Sequence, residues 1–475
     1  MLEPIFYLST DVGGHSVRTS LYDRECNCLA RFSEAVVTEK PRPGWVEHSP
    51  PQLVAAVTAT VNQCLELVPP AARVVMGMST QRSSIVCWNR CTREPLSAVL
   101  SWQDVRGAAY LEPLARQRRV IKRKTGLVLS PHYSASKIRW CLEHLPGVSE
   151  CAPQDLVIAP LGAYLVSAVT ARARADRPPL IDASNAARTM LVDLETCDWD
   201  PALLQAFGIP RACLPAVVDN HSDFGTGCFL RPVDLRLLIA DQSAALFATG
   251  RHETETGYIN IGSGAFVLGL TDSAPADDRL LVSLVYKQGE RRLFALEGTV
   301  NGAANALSWF QQQCGAAAVP AYHALKRGQI EPGCFLNAVG GLGSPWWCAQ
   351  CSSRFVTGDS VEAKWMAVYE SILFLLYCNF RRLREHLPGL AQIRVSGGLS
   401  ADPAYCQALA NLLDVRILHE QVEASSNGVA CLLAGIERLV PSAGRRFQPQ
   451  DDQELHNRFR YWERQMHAYT GIDKF

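Results

Sequence analysis

Two segments lying about half a chain apart carry one pattern. Asp11-Val-Gly-Gly-His-Ser-Val-Arg-Thr-Ser-Leu-Tyr-Asp23 lies without gaps on Asn260-Ile-Gly-Ser-Gly-Ala-Phe-Val-Leu-Gly-Leu-Thr-Asp272. Each reads as an apolar strand, a turn at Gly13 or Gly262, a second apolar strand, and a turn at Asp23 or Asp272. Copies this far apart predict two lobes of related architecture, not tandem repeats. The chain has 475 residues, room for two or three domains with substantial cores.

The second copy closes a longer stretch, residues 239–266, IADQSAALFATGRHETETGYINIGSGAF. Asp241 starts a short helical run, the polar joint RHETETG follows, and a strand then breaks into Gly262-Ser263-Gly264. A carboxylate at a helix mouth, facing a phosphate-sized glycine turn across a hinge, suits phosphoryl transfer to a hydroxyl. The carboxylate takes the hydroxyl proton, and backbone N–H groups in the turn hold the donor's phosphates. Taken singly, Asp is a common N-cap and glycine turns often join strands. Two such hairpins, one per lobe, are the plan of the actin, hexokinase and hsp70 type of nucleotide-binding fold.

Charge supports no polyanionic partner. Lys and Arg number 46 and Asp and Glu 46, so no overall field draws nucleic acid or a membrane surface. The one basic cluster, RQRRVIKRK at 116–124, reads as the solvated face of an ordinary helix. No run is long enough to span a bilayer, and the N-terminus shows no export signal, so the expected location is the cytoplasm. The 17 cysteines sit mostly in apolar runs, where free thiols belong in a reducing compartment. Cys348-x-x-Cys351 alone is a weak zinc signal, and free thiols are the expectation there too.

Along the chain, residues 5–36 read as three strands, and Ser49 with two prolines opens a helix. RVVMGMS at 73–79 is a buried strand ending in Thr80-Gln81-Arg82-Ser83, and SSIVCW continues as strand. A further strand leads into Trp102-Gln103-Asp104, so two polar clusters stand at adjacent strand ends, where open α/β sheets place ligands. His132 and Tyr133 lie in a loop entering a helix, and IDASNAARTML at 181–191 reads as a hydrogen-bonded structural turn. In the second half a helix begins near Asn301, and a long apolar helix covers about 362–387. The strand QIRVS then runs into Gly397-Gly398, and a closing helix carries Glu423 to Gly428.

Assembled, these residues resemble the FGGY carbohydrate kinases, and most closely the glycerol kinases among them. The blocks PGWVEHSP, STQRSS, SWQDVR, KTGLVLSP, SKIRW, DASNAARTMLVDL, FGIPRACLP, ADQSAALFATG, ALEG, GLGSPWW and VSGGLSAD occur in the family's order over almost the full length. The resemblance implies two ribonuclease-H-like domains, 1–247 and 248–475, closing on a nucleotide-binding cleft. It further implies ATP and Mg²⁺ as cofactors and a small polyol or sugar as partner, and leaves a homo-oligomer open. Carried over by motif, Asp241 is the general base, with Arg82, Ser83, Trp102, His132, Tyr133, Gln242 and Phe266 around the acceptor. Asp11 and Asp241 would serve Mg²⁺; Gly13, Gly14, Ser16, Arg18, Gly262, Ser263 and Gly264 would face the phosphates. Ala304, Ser308, Gly397, Gly398 and Asp402 would lie near the adenosine.

The departures bear on substrate. Glycerol kinases have Gln-Arg-Glu where this chain has Gln81-Arg82-Ser83, and Tyr where His132 stands, with Tyr133 one place away. Losing a carboxylate that accepts from two hydroxyls, and gaining room at Ser83, predicts a polyol or ketose longer than glycerol. Gly14 for Thr, Ala304 for Gly, Ser308 for Gln and Asp402 for Asn bear on nucleotide affinity rather than chemistry. The other outcome these departures allow is a catalytically weak relative that binds a sugar as a sensor or regulatory protein.

Overall fold

A computed structural model describes residues 4–170, 178–250, 255–328, 330–419, 424–437 and 444–471. Arg251 to Thr254 of the polar joint and Glu423 of the closing helix lie outside them. Among the described residues no helix is long and apolar enough to cross a membrane.

Two sheets organise the molecule. The first has six strands in the order His221–Cys228, Pro232–Ala240, Arg73–Thr80, Ile5–Val12, Ser16–Tyr22, Cys28–Ala35. Its middle three are parallel, and the last two return as an antiparallel meander. The second has seven strands in the order Leu281–Gln288, Arg291–Val300, Ala265–Thr271, Thr256–Ile261, Gln392–Ser396, Arg416–His419, Arg445–Phe447. It again joins an antiparallel meander to parallel strands. The parallel core strands are buried runs such as Val-Val-Met-Gly-Met-Ser-Thr at 74–80, as a sheet covered on both faces requires.

The duplication reaches single hydrogen bonds. Ser79 Oγ donates to Asp11 Oδ1 at 2.6 Å, and at the matching place in the second sheet Asn260 Nδ2 donates to Ser396 Oγ at 2.9 Å. The gapless overlay nevertheless fails past the turn. Val12 pairs with Val17 across four residues, whereas Ile261 pairs with Ala265 across three. The second hairpin is one residue tighter, so Phe266, not Val267, stands where Arg18 stands. A one-residue slip exchanges the faces of a strand.

Helices cover both sheets. Ser49 caps Pro50–Glu66, and Val361–His386 runs buried under the second sheet. The helix Ala424–Ala434 returns to the first lobe, where Val429 packs with Leu237, Ile239 and Ala244. Chain 248–475 thus lends one helix to the first sheet.

Three sequence expectations are corrected. The strand read at 83–88 is present but starts two residues later and in another sheet: the chain turns at 81–84, and Ile85–Asn89 joins a separate four-stranded sheet. No Gly or Pro marks that corner; Ser83 itself adopts φ 63°. The basic cluster spans the end of a 3-10 segment, Ala108–Gln117, and the short helix Arg118–Thr125, and it is not wholly solvated. Lys122 is buried and donates to the carbonyls of Gly126 (2.9 Å) and Leu280, and Lys124 pairs with Asp193 and Asp200. Cys348 and Cys351 form a disulfide, while the other fifteen cysteines are free.

Candidate active site

Register builds the site. Across the three parallel strands of the first sheet, Ala240 pairs with Thr80 and Thr80 with Val12. The next residues, Asp241, Gln81 and Gly13, therefore stand side by side at the carboxyl ends of the strands, where open α/β sheets bind ligands. Asp241 begins the short helix Asp241–Ala245, and its Oδ1 accepts from Gln242 N at 2.7 Å. Burial lifts its carboxyl above the ordinary range, against the pull of the Arg82 and Arg188 guanidiniums and of the N–H groups of Gln242 and Arg82.

Gly13 N donates to Ser16 O at 3.0 Å and closes the first turn, while Thr38 Oγ1 donates to Gly14 O at 3.1 Å. Asp11 and Arg18 face each other in register one pair below. Both line a cavity of about 610 Å³ that also takes in Gln242, Asn260, Arg394 and Gly397. Parts of both lobes thus meet around one space; Gly13, Gly14, Ser16 and Asp241 do not line it themselves, though Asp11 and Gln242 beside them do.

Gly262 N donates to Gly264 O at 2.9 Å in the second turn. Carbonyls of that turn accept from Ala303, Ala304 and Asn305, so the helix Ala304–Cys314 docks its N-terminus on the turn. Ser308 is exposed one helical turn on from Ala304. Gly397 has φ 93°, and a Cβ there would lie 2.5 Å from Ile261 O, so only glycine fits. Gly398 has open space on its Cβ side. Asp402 is engaged elsewhere: it accepts from Ala404 N at 2.9 Å as a helix cap, and from His323 N (3.0 Å) and Nδ1 (2.9 Å). Burial pushes its carboxyl up, but these N–H groups win and hold it below the usual range. Ser263, Ala304, Ser308, Gly398 and Asp402 do not line the 610 Å³ cavity.

Among the residues expected around the acceptor, Arg82 Nη1 lies 3.3 Å from Glu297 Oε2, a carboxylate arriving from strand Arg291–Val300 of the second sheet. Arg188 Nη1 lies 3.6 Å from the same oxygen and donates to Ser283 Oγ at 2.6 Å. Burial raises the Glu297 carboxyl, and the two guanidiniums outweigh it and hold the group ionised below the usual range. Ser83 is buried and spends its hydroxyl on Arg188 O at 3.1 Å. Trp102 is 44 % exposed, and its backbone N–H donates to Ser84 Oγ at 2.9 Å. His132 Nδ1 sits 3.2 Å from Trp102 O, and Tyr133 is buried beneath the loop with Arg188 5.2 Å over its ring. Phe266 is half-buried opposite Asn260.

Sequence reasoning missed three residues here. Glu297 lies in the ALEG block and supplies a carboxylate beside Arg82 although Ser83 has none. Arg188 was read as part of a structural turn. Lys137, fully buried, donates to Ser101 O (3.1 Å) and His132 O (2.8 Å), tying together the loops that carry Trp102 and His132. The block SKIRW held the only sign, a lysine on an otherwise small, apolar helix face.

As for a metal, Asp11 and Asp241 offer oxygen donors, and among the described residues no cluster of three or more His, Cys, Asp or Glu could cage an ion. That donor set fits Mg²⁺ arriving on a nucleotide, which takes one or two carboxylates and keeps waters and phosphates.

Family models for the N-terminal and C-terminal domains of the FGGY family of carbohydrate kinases match residues 6–227 and 257–436. A glycerol kinase of Alkalilimnicola ehrlichii is 32% identical over 98% of each chain, and one of Geobacter sp. strain M21 is 31% identical over 99% of each. The fold is similar to that of Plasmodium falciparum glycerol kinase with ADP (TM-score 0.85, 21% identity, 98% of each chain). It is equally similar to a xylulose kinase from Rhodospirillum rubrum (TM-score 0.85, 16% identity, 98% of this chain and 100% of that one).

Proposed function

The chain belongs to the FGGY family of carbohydrate kinases, and we propose that it transfers the γ-phosphate of ATP to a primary hydroxyl of a small polyol or sugar, with Asp241 as general base. The observation that carries this is the strand register: it aligns Asp241 with the Gly13–Gly14 turn at the same edge of one sheet, beside a cavity bounded by both lobes. A base and a phosphate grip flanking the strand end that carries Gln81 suit in-line transfer.

In this reading Arg82, Trp102, His132, Gln242 and Phe266 orient the acceptor, and Glu297 keeps Arg82 in place. Ser83 contributes space more than contact, since its hydroxyl is already bonded. Asp241 takes the proton as the acceptor oxygen bonds to phosphorus. Ser16, Arg18 and the two glycine turns hold the phosphates, and Gly397 and Gly398 let the adenosine approach the backbone. Asp11, with Asp241, would hold Mg²⁺, which neutralises charge on the phosphates. Closure of the lobes excludes water and limits wasteful hydrolysis. The activity belongs, on this reading, to the cytoplasm.

The short, non-carboxylate side chain at Ser83 and the exposure of Trp102 favour a polyol or ketose longer than glycerol. Coupled ADP release over a panel of polyols and sugars tests this: kcat/KM should be highest for an acceptor of more than three carbons, and a maximum at glycerol would overturn it. A sugar-dependent rise in Tm with no ADP release from any acceptor would instead identify a sugar-binding regulatory protein.

A further inference from the structure

Gln81 is the one residue of the row Asp241, Gln81, Gly13 without a role so far. Its backbone is fixed, since Gln81 N donates to Val12 O at 3.0 Å. Its side chain is 2 % exposed, and neither Oε1 nor Nε2 has a hydrogen-bond partner among the described residues. Oε1 lies 3.7 Å from where a Cβ on Gly14 would stand, so the amide reaches into the first phosphate turn. Burying both ends of an amide unpaired is costly. Nothing in the fold requires it, because an apolar side chain would fill the same space without that cost.

We propose that the Gln81 amide is a catalytic hydrogen-bond donor to the phosphoryl group as it passes from nucleotide to acceptor. This rests on the kinase reading above. Neighbouring strands are about 4.8 Å apart, so a group travelling between the Gly13–Gly14 turn and the hydroxyl held by Asp241 crosses the strand end that carries Gln81. In the step the acceptor oxygen bonds to phosphorus while the bond from phosphorus to the ADP oxygen breaks. The hydroxyl proton goes to Asp241, and ADP carries away the bonding electrons. Gln81 Nε2 donates a hydrogen bond to a non-bridging oxygen and gives up no proton. No partner among the described residues fixes which way the amide faces, so it can turn its NH₂ to the phosphoryl group when that group arrives.

The test is Gln81→Leu in the full chain, read as a split between rate and stability. Loss of a preorganised donor predicts a fall in kcat of about 100-fold, with both KM values within about threefold of wild type. Tm should equal or exceed that of wild type, since an unsatisfied amide has been removed. A kcat within about threefold of wild type would overturn the proposal. Should Gln81→Leu fold poorly, Gln81→Glu takes its place. Its carboxylate cannot donate, so kcat should fall, and its ratio to wild type at the same pH should partly recover as pH drops and the acid protonates; wild-type kcat across the pH range would refute the role. If wild type releases no ADP with any acceptor, the kinase reading fails on its own. Gln81 is then judged by Tm with Mg-ADP and orthovanadate. A vanadate-dependent shift present in wild type and lost in Gln81→Leu supports the site, and equal shifts, or none in wild type, dismiss it.

Discussion

Asp241 sits under opposed influences: burial lifts its carboxyl, and Arg82, Arg188 and two N–H groups pull it down without cancelling the rise. A base must be ionised to act, so activity should fail on the acid side at a pH above that of an ordinary aspartate, about 3.9. A pH profile of kcat/KM checks this, and an acid limb at or below the ordinary value contradicts it. Lys137 is the opposite case, its ammonium pushed down to about 7 by burial. Below that pH both folded and unfolded chains hold the proton, and the full cost of burying charge is present. Above it the folded chain sheds the proton while the unfolded chain keeps it to about 10.4, so rising pH favours folding. Wild type should therefore gain about 2 kcal/mol relative to Lys137→Met between about pH 7 and pH 9, measured by denaturant unfolding. Parallel pH dependences would contradict it. The same variant should raise KM for the acceptor, since two pocket loops lose their tie. The place of Asp241 at the start of a short helix was legible in the sequence because it depends on neighbouring residues alone. Lys137, Arg188 and Glu297 were not, because their meaning lies in partners far along the chain.

At the scale of elements, the two hairpins were readable from glycine and apolar alternation, and the long helix from its unbroken apolar run. Turn length was not: both turns contain two glycines, yet one closes over four residues and the other over three. Backbone bonding decides that, not residue type. The corner at 81–84 escaped notice for a related reason, since Ser83 takes φ 63° without the glycine that usually signals it. Helix Ala424–Ala434 lies against the helix that starts with Asp241, and the contact depends on one missing side chain. A Cβ on Gly428 would stand 1.8 Å from Ala244 O. Gly428→Ala should therefore cost about 3 kcal/mol and lower kcat, as overpacking pushes that short helix aside. Unfolding and turnover of the variant measure both, and wild-type values for both would show the contact to be slack.

At the scale of the molecule, the sequence divided into two lobes because its pattern recurs, but their join was invisible. Val282 N donates to Gly126 O at 2.9 Å, and Asn220 and Lys287 bond in both directions at 3.0 and 2.8 Å. Arg188 and Arg82 meet Glu297 in the same join, so the second lobe supplies a carboxylate to the proposed acceptor pocket. The buried part of the basic cluster belongs here too: Lys122 reaches Leu280 across the join, which no helical pattern in 116–124 could announce. Transfer through Asp241 is tested most directly by Asp241→Asn, assayed with saturating Mg-ATP and the best acceptor of the panel. The variant should keep the nucleotide-dependent rise in Tm and lose about 100-fold or more in kcat. Turnover at the wild-type rate would contradict the account.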